Sequence, residues 1–297
     1  MAKKYEKLTF TDDFMFCKIL EDNPKLCKEL LELILGKKLG SLAYINRQKP
    51  IEITADGKGV RFDIYAEEDE TGKGAVYDVE MQNAKKDSLP KRSRYSQSMI
   101  DLDLMDRGKK YEELNKSFVI YICNFNLWPN IGRHKYTFAS LCREDPSIEL
   151  KDGAEKIFLC AKGKKDDVSE DMKAFLNYIA KGKPENAFTN ELENAVSEAK
   201  LHKRWRKEYM TLLEHYEQER EEGRKEGRKE GREEERKNTE RERKNAERER
   251  KNAERERKNA ENERKKAERE RRRAEAAEQK IRELEKMLAK KSKQKTI

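Results

Sequence analysis

Two neighbouring segments alternate apolar and polar residues most cleanly. Residues 59–66 run Gly-Val-Arg-Phe-Asp-Ile-Tyr-Ala, and residues 75–82 run Ala-Val-Tyr-Asp-Val-Glu-Met-Gln. A period of two marks a half-buried strand. The linker at 67–74 contains Thr71-Gly72-Lys73-Gly74, which reads as the loop of a β-hairpin. The two strands are therefore expected to be antiparallel neighbours.

Helical periods lie on either side. Residues 11–35 open with an N-cap signal, Thr11-Asp12-Asp13, continue through Phe14, Phe16, Ile19 and Leu20, and are interrupted at Pro24. A second apolar helix follows through Leu26, Leu30, Leu31 and Ile34, with Gly36 as its C′ stop. Residues 51–54 are a short strand candidate. Residues 91–108 place Tyr95, Met99, Leu102 and Met105 on one predicted helical stripe closed by Gly108. Residues 117–123 are nearly all apolar, as expected of a strand buried on both faces. Residues 136–138 and 157–160 give two more strands, and 167–181 another helix, with Met172, Phe175, Leu176 and Ile179 on one side. This order of elements predicts an α/β domain around a mixed central sheet.

Composition changes the picture beyond residue 200. The chain has 297 residues, of which 43% are charged and 35% hydrophobic. That is too polar for one globular domain of this length. Residues 201–297 hold 35 Lys+Arg against 25 Glu, a net of +10, and the first 200 residues hold 34 against 35, a net of −1. The positive balance belongs to the tail. Trp205, Tyr209, Leu212, Leu213 and Tyr216 are its last apolar anchors. Glycines then recur every four residues at Gly223, Gly227 and Gly231, as a hinge or as a bare stripe on a helix. A heptad follows, with alanine at 246, 253, 260, 267 and 274 and the same phase reaching Ile281 and Leu288. Glu249, Glu256, Glu263 and Glu270 occupy the opposing core position, so the seam is weak. A long solvated helix and a weak dimer through Ile281, Leu284 and Leu288 are the two readings of this segment. The expected organisation is a domain at 1–185, a helical connector at 186–222, the glycine repeat at 223–235 and a charged helix at 236–297.

No run reaches the roughly 18–20 apolar residues of a membrane span, and residues 1–7 lack the apolar stretch of a secretion signal. Cys17, Cys27, Cys123, Cys142 and Cys160 have neither an even count nor CxxC spacing. They read as reduced thiols of a cytoplasmic protein rather than disulfides or a zinc site. His134, His202 and His215 are scattered, without ligand spacing.

The hairpin carries the chemistry. Glu80 and Gln82 leave the same face of one strand, and Asp63 can reach that face from its partner. Two carboxylates and an amide converging there suit a hard divalent cation. Such an ion lowers the pKa of a bound water and stabilises charge developing on a phosphate.

Arg61-Phe62-Asp63-Ile64-Tyr65, a hairpin, then Asp78-Val79-Glu80-Met81-Gln82 resembles the PD-(D/E)XK nuclease family transposases, also called the recombination-promoting (Rpn) nucleases. The opening stretch at 13–20, the helix at 91–101, the strand at 117–125 and the entry into a glycine-repeat tail at 206–210 are also similar, so the resemblance spans about residues 8–235. It implies a restriction-endonuclease-like core and metal-dependent cleavage of DNA, with Mg²⁺, Mn²⁺ or Ca²⁺ as cofactor. It further implies Asp63 and Glu80 as metal ligands and Gln82 at the superfamily's lysine position. Asp13 is the candidate for a third acidic ligand, with Glu32 behind it. Cys17 stands where a basic residue is common. Without the motif lysine, the cation beside the scissile phosphate is sought in the next helix. Lys91, Arg92 and Arg94 are candidate DNA contacts, and Arg94 with Gln97 the preferred addition to the catalytic set. The expected function is a DNA endonuclease linked to recombination, mobile elements or phage defense, with a homo-oligomer through the C-terminal helix as a further expectation. The alternative is a catalytically idle scaffold that assembles through that helix.

Overall fold

In a computed structural model, residues 3–51, 59–68, 74–85, 87–105 and 107–294 are described. Two helices come first, α1 (Asp13–Asp22) and α2 (Pro24–Leu35). Pro24 sits in the first turn of α2, where its missing N–H costs nothing. Gly36 ends α2 in the left-handed region at φ 70°. The Asp12 carboxylate accepts the Thr9 N–H at 2.8 Å and the Lys3 ammonium at 2.7 Å, so it braces the preceding turn and makes no helix cap.

Among the described residues six strands follow: β1 (Leu42–Ile51), β2 (Val60–Glu68), β3 (Val76–Gln82), β4 (Ser117–Cys123), β5 (Lys135–Phe138) and β6 (Ala154–Cys160). They form one sheet in the order β1-β2-β3-β4-β6-β5. The β1–β2–β3 ladders and β5–β6 are antiparallel, and β3–β4 and β4–β6 are parallel. This is the mixed sheet of a restriction-endonuclease-like fold. Every residue of β3 and β4 is buried, because both strands are central and covered on both faces.

Helices cover the two faces unequally. On one, α1, α2, α4 (Glu170–Lys181) and α5 (Ala187–Leu201) pack on Ile64, Tyr77, Val79, Ile120 and Ile122. On the other, α3 (Leu89–Leu104) sets Leu89, Met99 and Ile100 against Tyr65, Val119, Tyr121 and Phe158.

Three expectations change. The strand before the hairpin is the ten-residue β1, of which only Ile51 falls in the expected 51–54; the remaining three residues lie outside the described part, as do Thr71, Gly72 and Lys73 of the expected loop. Pro50 and the polar content of β1 hid it, and both are tolerated because β1 is an edge strand. Helix α3 ends at Met105, whose N–H bonds Asp101 O, and not at Gly108. Its expected stripe is also rotated: Tyr95 and Leu102 are 39% and 57% exposed, and the buried face is Leu89, Ser93, Ser96, Gln97, Met99 and Ile100. Small serines there let the helix lie close to β4.

The chain divides into a compact unit, residues 1–215, and a second unit, residues 216–297. Helix α5 belongs to the first core, fastened by a capping box between Asn186 and Thr189. Tyr209 is buried there too, donating its hydroxyl to Lys3 O at 2.8 Å. Helix α6 (Lys203–Gln294) contains the glycine repeat without interruption. Among the described residues, no helix is long and apolar enough to cross a membrane.

Candidate active site

The site lies where the hairpin forks. The β2–β3 pairs end at Ile64↔Val79, while β3 continues beside β4 with Glu80↔Tyr121 and Gln82↔Cys123. Beyond the last pair the Asp63 side chain replaces a ladder partner: its Oδ2 accepts the Met81 N–H at 3.1 Å. Asp63 is thereby fixed beside Glu80, which is fully buried.

Helix α3 brings a cation to this point. Arg92 Nη2 donates to Glu80 Oε2 at 2.6 Å, and its guanidinium lies 6.0 Å from the Tyr121 ring centroid. Gln82 Nε2 donates to the same Glu80 oxygen at 3.3 Å. Glu80 Oε1 has no hydrogen-bond partner. Asp78, Glu80 and Gln82 occupy alternate positions and so share one side of β3. Asp78 is fully buried, and neither of its oxygens has a partner.

Helix α1 supplies the remaining groups. Asn83 Nδ2 donates to Thr11 O at 2.5 Å, tying the end of β3 to the turn before α1. Asp13 and Cys17, four residues apart on one helix face, then approach Asp63. One ligand atom from each of Asp13, Cys17 and Asp63 lies within 4.8 Å of the others. The Cys17 thiol donates to Asp13 Oδ1 at 3.7 Å.

Crowding of acids shows in their titration. Burial, then the charges of Glu80 and Asp13, push Asp63 up to about 8. Burial pushes Glu80 up to about 7, with Arg92 opposing and Asp13 adding to the rise. Burial, then Glu80 and Asp63, raise Asp78 well above the usual carboxylate range. Burial, then Asp63 and Asp13, raise the Cys17 thiol. These are the marks of acids gathered in a buried place where Arg92 offsets only part of their charge. The orphaned Glu80 oxygen and the converging Asp13 and Asp63 carboxylates fit a divalent cation.

The candidates from sequence separate into two groups. Asp13, Asp63, Glu80, Gln82 and Arg92 come together. Lys91 and Arg94 are exposed on α3. Gln97 is buried but donates to Ser117 Oγ at the start of β4, whereas Glu80 lies opposite Tyr121 further along that strand. Glu32 is engaged by Lys38 at 2.6 Å and by the Leu39 N–H at 3.0 Å, apart from the fork. Of the three α3 cations, Arg92 and not Arg94 is the one paired with a carboxylate of the fork, because α3 starts two residues earlier than expected and turns a different face inward. Sequence reasoning gave no role to Asp78 or Cys17. The signals were present: Asp78 is two before Glu80, and Cys17 is one helical turn after Asp13.

A mixed sheet with two acids at a forked hairpin defines the PD-(D/E)XK nuclease-like class, whose nucleases typically use divalent metals. A family model described as PD-(D/E)XK nuclease family transposase matches residues 10–187, more than half of the chain, and the chain belongs to that family. The family domain supports a nuclease-type function and implies a DNA substrate. No curated protein and no solved structure matches the chain.

Proposed function

We propose that the protein is a divalent-metal-dependent DNA endonuclease, acting in recombination, mobile-element biology or phage defense. The observation that carries this reading is the meeting of Asp63, Glu80 and Arg92 at the fork. Asp63, Glu80 and Asp13 are the groups that would hold Mg²⁺ or a similar hard ion. When bound, that ion activates water and offsets charge on the phosphate. Arg92 supplies the positive charge for which β3 offers only Gln82. It orients Glu80 in the resting site and is placed to stabilise negative charge growing on a phosphoryl oxygen. Gln82 holds Glu80 through its amide and, with no charge to give or take, acts by position. Lys91, Arg94 and the exposed side of α3 serve as phosphate contacts along the DNA. The free cysteines suit a reducing, cytoplasmic setting.

The test is nicking of supercoiled plasmid with Mg²⁺ or Mn²⁺. Wild type is expected to nick and Asp63→Ala to be inactive. Equal behaviour of the two across metals and DNA forms would end the nuclease reading. The long charged helix supports an added assembly role, which belongs to the tail and leaves the fork's chemistry unchanged.

A further inference from the structure

Cys17 is a soft donor set among hard donors at the fork. It is completely buried in the main apolar core, and its sulfur is also grouped with carboxylate oxygens of Asp13 and Asp63. Two elements build the group: α1 places Asp13 and Cys17 one turn apart, and β2 delivers Asp63 where its ladder ends. Zinc takes sulfur at about 2.3 Å and carboxylate oxygen at about 2.0–2.2 Å. Donors already within 4.8 Å of one another need only a small closure to share such an ion.

A second observation points to a cation at this place. Glu80 is fully buried with an unpartnered Oε1, and the hairpin sets it beside Asp63. An unpaired, buried acceptor thus lies on the strand next to the Asp63 member of the group.

Donor softness decides which ion is preferred. Magnesium takes oxygen ligands and holds its waters tightly. Thiolate ligands select zinc and other softer ions. From this donor set we infer that Asp13, Cys17 and Asp63 bind a borderline divalent cation such as Zn²⁺, and that this ion competes with the hard ion for Asp63. Binding forms a metal–sulfur bond and releases the thiol proton to solvent, with no change in oxidation state. The competition half of the inference rests on the hydrolytic reading above; the binding half does not.

The test uses the full-length chain, stripped of metal and titrated with Co²⁺, whose thiolate complexes absorb in the near ultraviolet. Wild type is expected to develop a saturable thiolate-to-cobalt band that Zn²⁺ displaces and excess Mg²⁺ does not. Cys17→Ser is expected to lose the band. Asp13→Asn, at the exposed start of α1, should weaken Co²⁺ binding by roughly tenfold or more, the lower end of what removing even a supporting partner costs. Absence of the band in wild type, its persistence in Cys17→Ser, or unchanged affinity in Asp13→Asn overturns the site. Should Cys17→Ser fail to fold, the Asp13→Asn titration decides alone.

Nicking is scored separately, with Zn²⁺ expected to inhibit the Mg²⁺-supported reaction of wild type. A cobalt band in a protein that never nicks DNA upholds the cation site and removes the endonuclease reading. Nicking without the band does the reverse.

Discussion

Asp63 and Glu80 keep protons that ordinary carboxyls release, and the consequence is a stability that runs against the usual acid-denaturation slope. In the unfolded chain these groups titrate near 3.8 and 4.5, and in the folded metal-free protein near 8 and 7. Between those limits the folded state binds more protons than the unfolded state. The contribution is complete below the unfolded values and is lost as pH rises through the folded ones. Thermal melting in excess chelator is therefore expected to show a midpoint that falls from about pH 4.5 to about pH 8. Mg²⁺ should restore it at the upper end, and a flat profile would show that the acids are not strained. Asp63→Asn removes one of these charges, so it is expected to raise the metal-free midpoint at pH 8 while abolishing nicking, a trade of activity for stability. Arg92 is the other decisive residue. Arg92→Gln is expected to lower the nicking rate roughly 10²–10³-fold, as for loss of a charge-stabilising donor; Arg94→Ala should change the rate little at saturating DNA. Equal defects in the two would return Arg94 to the catalytic set. The Asp63 and Glu80 pair was legible from alternation alone, since period two fixes which side chains share a face. Arg92 was not, because choosing among three cations within four residues requires the start and rotation of α3. A helix whose inward face is Ser93, Ser96 and Gln97 carries no apolar signal to reveal that rotation.

The same contrast holds for elements. β4 was readable because a strand buried on both faces is apolar throughout, whereas β1, on an edge and rich in Lys, Arg, Asn and Gln, presents no such pattern. Glycines divide by context. Gly74 closes the hairpin where the Glu68 N–H bonds Ala75 O at 3.0 Å, and a Cβ added at Gly74 would meet Glu68 O at 1.9 Å. Gly74→Ala must shift that backbone, and a loss of roughly 1–3 kcal/mol is expected in denaturant unfolding. Gly223, Gly227 and Gly231 lie inside α6, where an added Cβ meets nothing within 4 Å. Each change to alanine there should stabilise the helix by about 0.8–1 kcal/mol, seen as a higher melting point of the helical circular dichroism. Loss of helicity in the triple alanine variant would mean that the bare stripe accommodates a partner.

At the scale of the molecule, charge and fold are divided differently. The compact unit keeps α5 and the start of α6, so truncation at the edge of the apolar sequence near 200 would strip Tyr209 from the core. A cut after His215 respects the packing. The segment it removes, residues 216–297, holds 31 Lys+Arg and 23 Glu, net +8, leaving +1 behind. Many of its lysines are already engaged: Lys244, Lys251, Lys258 and Lys265 each meet the glutamate four residues earlier, at 2.6–2.9 Å. Such pairs stabilise a solvated helix by about 0.2–0.5 kcal/mol each and dilute its field. The tail is thus expected to act as a modest electrostatic arm. Truncation should weaken non-specific DNA binding and make the slope of log K against log salt shallower by roughly 2–4, the loss of a few phosphate contacts. An unchanged slope would leave all DNA contact to the first unit. Self-association is the tail's other candidate role, and its geometry limits it. Ile281 and Leu284 are 55% and 54% exposed and follow an alanine–glutamate seam too polar for a strong coiled coil. Sedimentation is therefore expected to show a monomer at low concentration and a weak dimer only at high concentration. The dimer should vanish both in the His215 truncation and on changing Ile281 and Leu284 to Lys. A dimer that survives those two changes would place the contact in the nuclease unit, where it would bear on how two strands of DNA are cut together.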